Sequence, residues 1–273
     1  MMSEAPFRRV VVLCDASCDI RLAVSDAAAL AARWGAALHG VFLEDENLHR
    51  LAELPFSQQV SLSHPGLSEA LSGVEMTRLV SALSAGMRRA LAEAAGARGV
   101  EWSFDTTRST LAAASVETEA GDVIVLEGTK RAFSGTWRPH ERIETTSAAC
   151  SGTVLIRGRR TGGSGIVVLL PEQAAGGDKV LAAGAAVAGG SDAVVIAGSP
   201  AALADAASSI ARSFPSKGAG SVRTLALPAD LPAALRAIES LDPAVIVIEP
   251  TPDCQPTIDA LMERARADVL LVR

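Results

Sequence analysis

The sequence has few cysteines and no apolar run long enough to cross a membrane. Its four cysteines are too few for the disulfide framework of a small secreted domain, and no Cys/His cluster has zinc spacing. The longest apolar runs reach about five or six residues, whereas a membrane-spanning helix needs roughly 20. The amino terminus has no h-region of a signal peptide. We therefore expect a cytoplasmic protein without membrane insertion.

Basic charge is also scarce. The formal net charge is −6, and no basic block interrupts the sequence, which argues against nucleic acid as the main partner. The glycines at residues 162–165 lack the Gly-Lys-Ser/Thr ending of a P-loop, so they do not predict a phosphate cradle there. With 49% apolar and 21% charged residues, the chain is nevertheless expected to fold rather than remain disordered.

A catalytic set is missing as well. Asp15, Glu127 and Glu249 follow apolar runs, where acid/base residues of α/β enzymes lie, but no His or Cys stands beside them at motif spacing. Cys14 and Cys18 could form a redox pair if a helix N-terminus lowered a thiol pKa, but a buried core cysteine is the favoured reading of Cys14. The sequence therefore predicts no catalytic residues and no metal site.

What the sequence does contain is a repeated set of short apolar runs. Val-Ile-Val-Leu at residues 123–126 reappears as Val-Ile-Val-Ile at residues 245–248. Val-Leu-Ile at residues 154–156 reappears as Val-Leu-Leu at residues 269–271. Consecutive branched apolar residues without polar alternation are typical of strands covered by helices on both faces, as in parallel α/β sheets. The chain is therefore predicted to be a tandem of two similar α/β units.

The predicted division places the first unit at residues 1–158 and the second at residues 165–273. A linker rich in glycine and basic residues, 159–164, separates them. Each unit is expected to contain five strands joined by four helices. The second unit is the shorter one because it has no counterpart of a long insertion in the first.

This insertion covers about residues 44–72 of the first unit. Leu48, Leu51 and Leu54 recur at a spacing that predicts a short amphipathic helix. Loops of this length in compact domains are often lids or binding segments. The insertion is therefore either a flap packed on its own unit by these leucines or a surface that docks a partner.

Nearly the whole chain resembles tandem members of the universal stress protein family. The resemblance rests first on Val-Leu-Cys-Asp-Ala-Ser at residues 12–17 and on Gly-Ala-Ala-Leu-His-Gly-Val at residues 35–41. It also rests on Val-Ile-Val-Leu-Glu-Gly-Thr at residues 123–129 and on the closing Val-Leu-Ile-Arg157 and Val-Leu-Leu-Val-Arg273. These patterns gain weight because their order is repeated.

The resemblance implies a fold and a manner of assembly. It implies an α/β fold of two tandem, doubly wound, five-stranded parallel sheets with strand order 3-2-1-4-5, of the adenine nucleotide alpha hydrolase-like type. It also implies that two such units pair through their last strands. Here both units lie in one chain, so we expect an intrachain pseudo-dimer, with a homodimer as a further possibility.

The resemblance further implies where a nucleotide would bind. In the members that bind ATP, an acidic residue after strand one and an apolar residue in strand two hold the adenosine, and a glycine-rich loop after strand four wraps the phosphates. Asp15, Val41 and Gly128 match these positions, and Thr129 follows the matching glycine. These four residues are the candidate nucleotide-binding residues of the first unit.

The rest of the phosphate loop departs from the family pattern. Arg131 stands at the second glycine position, and Glu141-Arg142 stands where Gly-Ser is expected. Glycine is needed in such loops because the backbone must approach the phosphate closely. The corresponding loop of the second unit is seven residues shorter, because 20 positions replace 27, and it is rich in proline. We therefore expect the ATP site to be degenerate in the first unit and poorer still in the second.

Two functional hypotheses follow. The first is a universal-stress-protein-like regulatory module that responds to stress through an unknown protein partner and needs no cofactor. The alternative is a sensor of ATP or AMP that uses the first unit and has at most weak ATPase activity.

Overall fold

The computed structural model describes most of both predicted units. The ranges it describes are residues 7–16, 18–54, 58–60, 68–70, 73–109, 118–119, 121–127, 152–158, 163–172, 177–188, 193–214, 221–264 and 267–273. All structural statements below refer to these residues.

The first unit contains seven of the described strands and three of the described helices. In chain order they are β1 (Arg9–Cys14), α1 (Ile20–Trp34), β2 (Ala37–Asp45), α2 (Glu46–Ala52), β3 (Gln58–Val60), β4 (Ser68–Ala70), α3 (Gly73–Gly96), β5 (Trp102–Ser109), β6 (Asp122–Glu127) and β7 (Thr153–Arg157). The short strands β3 and β4 form a separate antiparallel hairpin within the insertion.

The second unit repeats this order without the hairpin. Its elements are β8 (Ile166–Leu169), α4 (Gly177–Ala188), β9 (Val194–Gly198), α5 (Pro200–Asp205), α6 (Ala207–Ser213), β10 (Val222–Ala226), α7 (Leu231–Glu239), β11 (Val245–Ile248), a 3₁₀ turn (Pro252–Cys254), α8 (Gln255–Arg264) and β12 (Asp268–Leu271). Between β9 and β10 two short helices therefore stand where the first unit has α2 and the long helix α3.

The ten long strands form one continuous sheet. Its order is β10-β9-β8-β11-β12-β7-β6-β1-β2-β5, which gives 3-2-1-4-5 within each unit and confirms the predicted fold class. Within each unit neighbouring strands are parallel. The prediction described two sheets, whereas hydrogen bonds between β7 and β12 merge them into one.

The seam between β7 and β12 sets the relative direction of the two units. The strands are antiparallel, with Val269 opposite Ile156, Leu270 opposite Leu155 and Leu271 opposite Val154. The carboxyl ends of the five strands in one unit therefore point to one edge of the sheet, and those of the other unit point to the opposite edge. Open α/β sheets bind ligands beyond the carboxyl ends of their strands, so the two crevices lie at opposite edges.

A buried ion-pair cluster stands at one end of this seam. The Arg157 guanidinium at the end of β7 contacts Asp268 at the start of β12 at 2.9 Å and also pairs with Asp26 of α1. The other carboxylate oxygen of Asp268 accepts a hydrogen bond from the Gly158 N–H at 2.9 Å. At the other end of the seam, Thr153 and Val272 take the corresponding positions, so the two ends differ in charge.

Helix α1 shows how the local sequence sets an element's limits. Its N-cap is Asp19, whose side chain accepts from the Leu22 N–H at 3.3 Å. At its end Gly35 has a φ of 64°, a left-handed conformation that glycine adopts at low cost. The buried face is almost entirely alanine, which lets the helix lie close to the sheet.

The insertion begins with a helix, as predicted, but two of its three leucines are exposed to solvent. In α2 the buried residues are His49 and Ala52, and Leu48 is partly buried against the core. Leu51 and Leu54 are 49% and 56% exposed. The prediction of a flap held down by all three leucines is therefore wrong for two of them, because the helix presents its His49–Ala52 side inward.

Candidate functional site

The sheet register identifies equivalent positions in the two crevices. Val123 and Val245 occupy the same place in the repeated strand, and they pair with Val10 and Ile166 respectively. Five positions after Val10 is Asp15, and five positions after Ile166 is Pro171. The acidic residue that the family resemblance assigns to adenosine binding is therefore a proline in the second unit.

Asp15 forms a closed turn with Cys18. Its backbone N–H donates to Cys18 Sγ at 3.4 Å, and the Cys18 thiol donates to Asp15 Oδ1 at 3.4 Å. The Cys18 N–H also donates to the Asp15 carbonyl oxygen at 3.2 Å. Asp15 is only 7% exposed. One of its carboxylate oxygens already accepts the hydrogen bond from the Cys18 thiol within the turn.

The structure brings two of the four candidate residues to the same edge of the sheet. Val41 lies opposite Leu13 in the register of β1 and β2 and is 5% exposed, so it is adjacent to the strand end that leads to Asp15. Gly128 and Thr129 lie outside the described residues, as do Arg131 and Glu141. Cys14 is fully buried in β1, as its core-cysteine interpretation predicted.

The second unit matches only one of the four candidate residues, Thr129. The register of β8 and β9 puts Ala197 where the first unit has Val41. In the repeated strand-four motif, Pro250 and Thr251 stand in the places of Gly128 and Thr129. Proline has no N–H to offer a phosphate, so this crevice does not fit a nucleotide tail.

A cavity of about 910 Å³ nevertheless occupies the crevice of the second unit. Its walls come from the segments after β8, β9, β10 and β11, from α7 and from the start of α8. This cavity was hardly predictable from the sequence, because its lining residues belong to separate segments that only the fold brings together. The prolines after β11 were the one visible signal.

A smaller groove of about 510 Å³ lies between α2, α3 and the end of β5. It is lined by His49, Glu53, Gly73, Val74, Thr77, Arg78 and Arg108. His49 is 8% exposed, and its Nε2 has no hydrogen-bond partner in the described structure. Sequence reasoning treated His49 as one of four scattered histidines and did not connect it with either arginine.

Large exposed apolar side chains line this groove or neighbour its lining residues in the sequence. Among the described residues, six large apolar side chains are more than a third exposed, and four of them lie on or beside α2 and at the start of α3: Leu51, Leu54, Val74 and Leu79. We call these four residues, together with His49, Arg78 and Arg108, the α2–α3 surface.

The described residues show no metal site and no membrane helix. No group of three or more His, Cys, Asp or Glu side chains within those ranges could hold a metal ion. None of the helices described is both long and apolar enough to span a bilayer.

Comparison by sequence finds no relative. No protein-family model matches the chain, and no curated protein matches it either.

Comparison by structure gives matches over almost the full length. The chain is similar to a universal stress protein from Archaeoglobus fulgidus DSM 4304, with a TM-score of 0.56 and 11% identity over 96% of this chain and 98% of that one. It is similar to a candidate universal stress protein from Pseudomonas aeruginosa UCBPP-PA14, with a TM-score of 0.54 and 14% identity over 97% and 93% of the two chains.

A third match is a protein of unknown function from Pseudomonas aeruginosa PAO1, with a TM-score of 0.51 and 13% identity over 97% and 92% of the two chains. The class that these comparisons define is an α/β protein with the fold of universal stress proteins. The resemblance predicted from the sequence is confirmed at the level of this fold.

Proposed function

We propose that this protein is a universal-stress-protein-like regulatory module that acts in a stress response by binding a partner protein. The observation that carries the proposal is the α2–α3 surface. It combines exposed apolar side chains with the positive charges of Arg78 and Arg108, beside an insertion that the second unit lacks.

The apolar part of the surface favours contact with another protein. Leu51, Leu54, Val74 and Leu79 are between 46% and 63% exposed. Burying a large aliphatic side chain contributes roughly 1.5–3 kcal/mol relative to leaving it in water. A cluster of such residues next to a groove is typical of an interaction site rather than of an ordinary surface.

The charges of the surface favour an acidic partner segment. Within the described structure neither Arg78 nor Arg108 has an ion-pair or hydrogen-bond partner, whereas Arg50 is paired with Glu46 at 3.1 Å. Glu53 is the one acidic residue among the groove-lining residues. The occupant that fits is an amphipathic segment of a partner protein, with apolar side chains for the leucines and carboxylates for the two arginines.

His49 supports the same occupant. A buried polar atom without a hydrogen bond costs about 1–3 kcal/mol, and His49 Nε2 is such an atom beside the groove. A polar group of the bound segment would satisfy it, which would make this histidine part of the recognition.

Site-specific photo-crosslinking in stressed cells tests the proposal. A benzoylphenylalanine at Leu51 should capture a distinct partner, and one at Leu22 of α1, which is 55% exposed, provides a matched control. The captured partner is then purified and titrated against the Arg78→Glu/Arg108→Glu variant. We expect at least about tenfold weaker binding than wild type, from the loss and reversal of two charge pairs.

Arg236→Glu on α7 is the control for charge reversal, because Arg236 is exposed on the second unit. Binding should also weaken with salt in the wild type. Unchanged affinity of the double variant, or equal capture from Leu22 and Leu51, would reject the proposed surface.

A nucleotide sensor is the second candidate function. The observation that favours it is the common position of Asp15 and Val41 at the carboxyl edge of β1 and β2. Titration with ATP and AMP separates it from the first proposal, as argued in the Discussion.

A further inference from the structure

The cavity of the second unit lies where an open α/β sheet most often binds ligands. β8 is flanked by β9 on one side and β11 on the other, so the strand order reverses there, and the cavity opens beyond the carboxyl ends of these strands. This is the topological switch point of the unit. A volume of about 910 Å³ falls within the usual range for small-molecule pockets, roughly 300–1,000 Å³.

The floor of the cavity is rigid and apolar. Leu169, Leu235, Ile238 and Ile248 line it and are 5%, 3%, 1% and 2% exposed. They belong to the packed core, on strands and on α7. These four side chains leave little surface open themselves, and the partly buried Leu227 and Leu231 add apolar surface above them. An apolar or aromatic body gains free energy in proportion to the apolar area that it covers.

Among the described residues that line the cavity, the charged side chains all have one sign. Its lining residues include Glu172, Glu249 and Asp253, and no lysine, arginine or histidine is among them. Glu172 accepts a hydrogen bond from Ser199 Oγ at 3.1 Å. In the described structure Glu249 and Asp253 have no hydrogen-bond or ion-pair partner. Carboxylates in this arrangement repel a phosphate or carboxylate ligand and attract a cation.

The backbone around the rim also disfavours an anionic ligand. Five prolines line the cavity after the strand ends: Pro171, Pro200, Pro228, Pro252 and Pro256. A phosphate cradle requires several N–H groups at such a position, and proline provides none. What the rim offers instead is rigid, fixed apolar surface.

We propose that this cavity binds a small organic cation, an apolar or aromatic body that carries a primary amine. The body covers the floor formed by Leu235, Ile238 and Ile248, and the ammonium group donates to Glu249 and Asp253 at the rim. This site is independent of the proposed partner surface, because the two units direct their strand ends to opposite edges of the sheet.

Calorimetry with three probes of similar size tests the ligand class. The probes are 2-phenylethylamine, 2-phenylethanol and phenylacetate, which share an aromatic body and differ in charge. We expect saturable binding of the amine, at least about tenfold weaker binding of the alcohol, and no detectable binding of the acid. Equal affinity for amine and alcohol, or no binding of any probe at about 10 mM, would overturn the proposal.

Variants locate the binding within the cavity. Glu249→Gln/Asp253→Asn should reduce the affinity for the amine about tenfold, to that for the alcohol, and leave the alcohol unaffected. Ala229→Trp adds bulk at an exposed position of the lining and should abolish binding of both probes without disturbing the core. Glu239→Gln, an exposed residue of α7 that does not line the cavity, is the matched control. A double variant that retains its preference for the amine would show that these carboxylates do not select the ligand.

Discussion

The two units share one topology but differ beyond the ends of their first two strands, where a ligand or partner could bind. After the first strand, the first unit has the Asp15 turn and the second has Pro171. After the second strand both units begin a helix, but the first unit goes on from α2 to the hairpin and the long α3, whereas the second goes on from α5 to the short α6. The interiors of the strands are alike because both must be buried on two faces. The edges diverge because loops beyond the sheet bear little of the packing.

Within one chain, the buried strands are therefore alike in the two units, whereas the surfaces that could bind a ligand or partner differ. The first unit presents a basic, partly apolar surface, and the second encloses an acidic cavity. Each of the following variants exchanges or removes a feature that one unit has and the other lacks. They are ordered by the size of the expected effect.

The largest effect is expected at the seam, at the end where Arg157 pairs with two carboxylates. Arg157→Met would leave Asp268 and Asp26 without their shared cation, and the Asp268 side chain is only 7% exposed. Breaking a buried pair by removing one partner typically costs about 3–5 kcal/mol. We expect the free energy of unfolding, measured by urea denaturation, to fall by about 3 kcal/mol.

The matched control is Arg50→Met. Arg50 also pairs with a carboxylate, but its side chain is 69% exposed, so the loss should be below about 1 kcal/mol. Equal losses in the two variants would show that the seam cluster contributes no more than a surface ion pair.

A smaller effect is expected where a glycine in one unit replaces a large residue in the other. The register places Gly40 of β2 at the position of Ile196 in β9. A Cβ on Gly40 would lie 2.1 Å from Leu91 Cδ1 of α3, so the leucine fills the space that isoleucine fills in the second unit. Gly40→Val should therefore destabilise the protein by about 1–3 kcal/mol through overpacking.

The double variant Gly40→Val/Leu91→Ala sharpens this test. Leu91→Ala alone should cost about 2–5 kcal/mol because it leaves a cavity. If the two residues share one space, the double variant should be more stable than the sum of the single losses predicts. If the losses of stability in the two single variants, measured by thermal unfolding, add up to the loss in the double variant, Leu91 does not fill the space that Ile196 fills in the second unit.

The sequence was sufficient to predict the framework. The apolar runs at residues 123–126 and 245–248 predicted buried parallel strands because no polar residue interrupts them, and the structure places both runs at the centre of their units. Their repetition, with the family resemblance, predicted the order 3-2-1-4-5. Such features are local in sequence, so periodicity reveals them.

The candidate sites could be predicted only in part, because they depend on distant segments. Asp15 and Val41 were found by motif and do lie at one edge of the sheet. The inward face of α2 was not predictable, because three leucines at helical spacing do not show which side a neighbouring helix covers. Asp268 gave no signal either, since its partner Arg157 is 111 positions away by the difference of their numbers.

A titratable group distinguishes the second strands of the two units. His39 of β2 stands where β9 has Val195. Burial, followed by the positive charge of Arg9, lowers the pKa of His39 below its usual 6.5, although Asp105 and Asp122 act in the opposite direction. Its Nδ1 lies 2.7 Å from Ser103 Oγ.

Because the folded pKa is the lower one, the unfolded chain takes up a proton first as the pH falls. The stability linked to neutral His39 is therefore fully present above about pH 6.5 and is lost as the pH drops towards the folded pKa. In His39→Val, the decrease in unfolding free energy between about pH 8 and about pH 5.5 should be smaller than in wild type. Ser103→Ala retains the titrating ring and is the control, and an unchanged pH profile of His39→Val would reject the assignment.

The smallest expected effect is the response of either unit to ATP. Asp15 is engaged with Cys18, Arg131 and Glu141 stand at glycine positions of the first loop, and Pro171 and Pro250 replace the matching residues of the second. We expect calorimetry with ATP and AMP to show no saturable binding at about 1 mM, in wild type and in Cys18→Ala, which removes the thiol that donates to the Asp15 carboxylate. Micromolar binding that is lost in Asp15→Ala would instead establish the first unit as a nucleotide sensor. The two units would then differ in which ligand their crevices bind, and not in having a docking surface or a cavity.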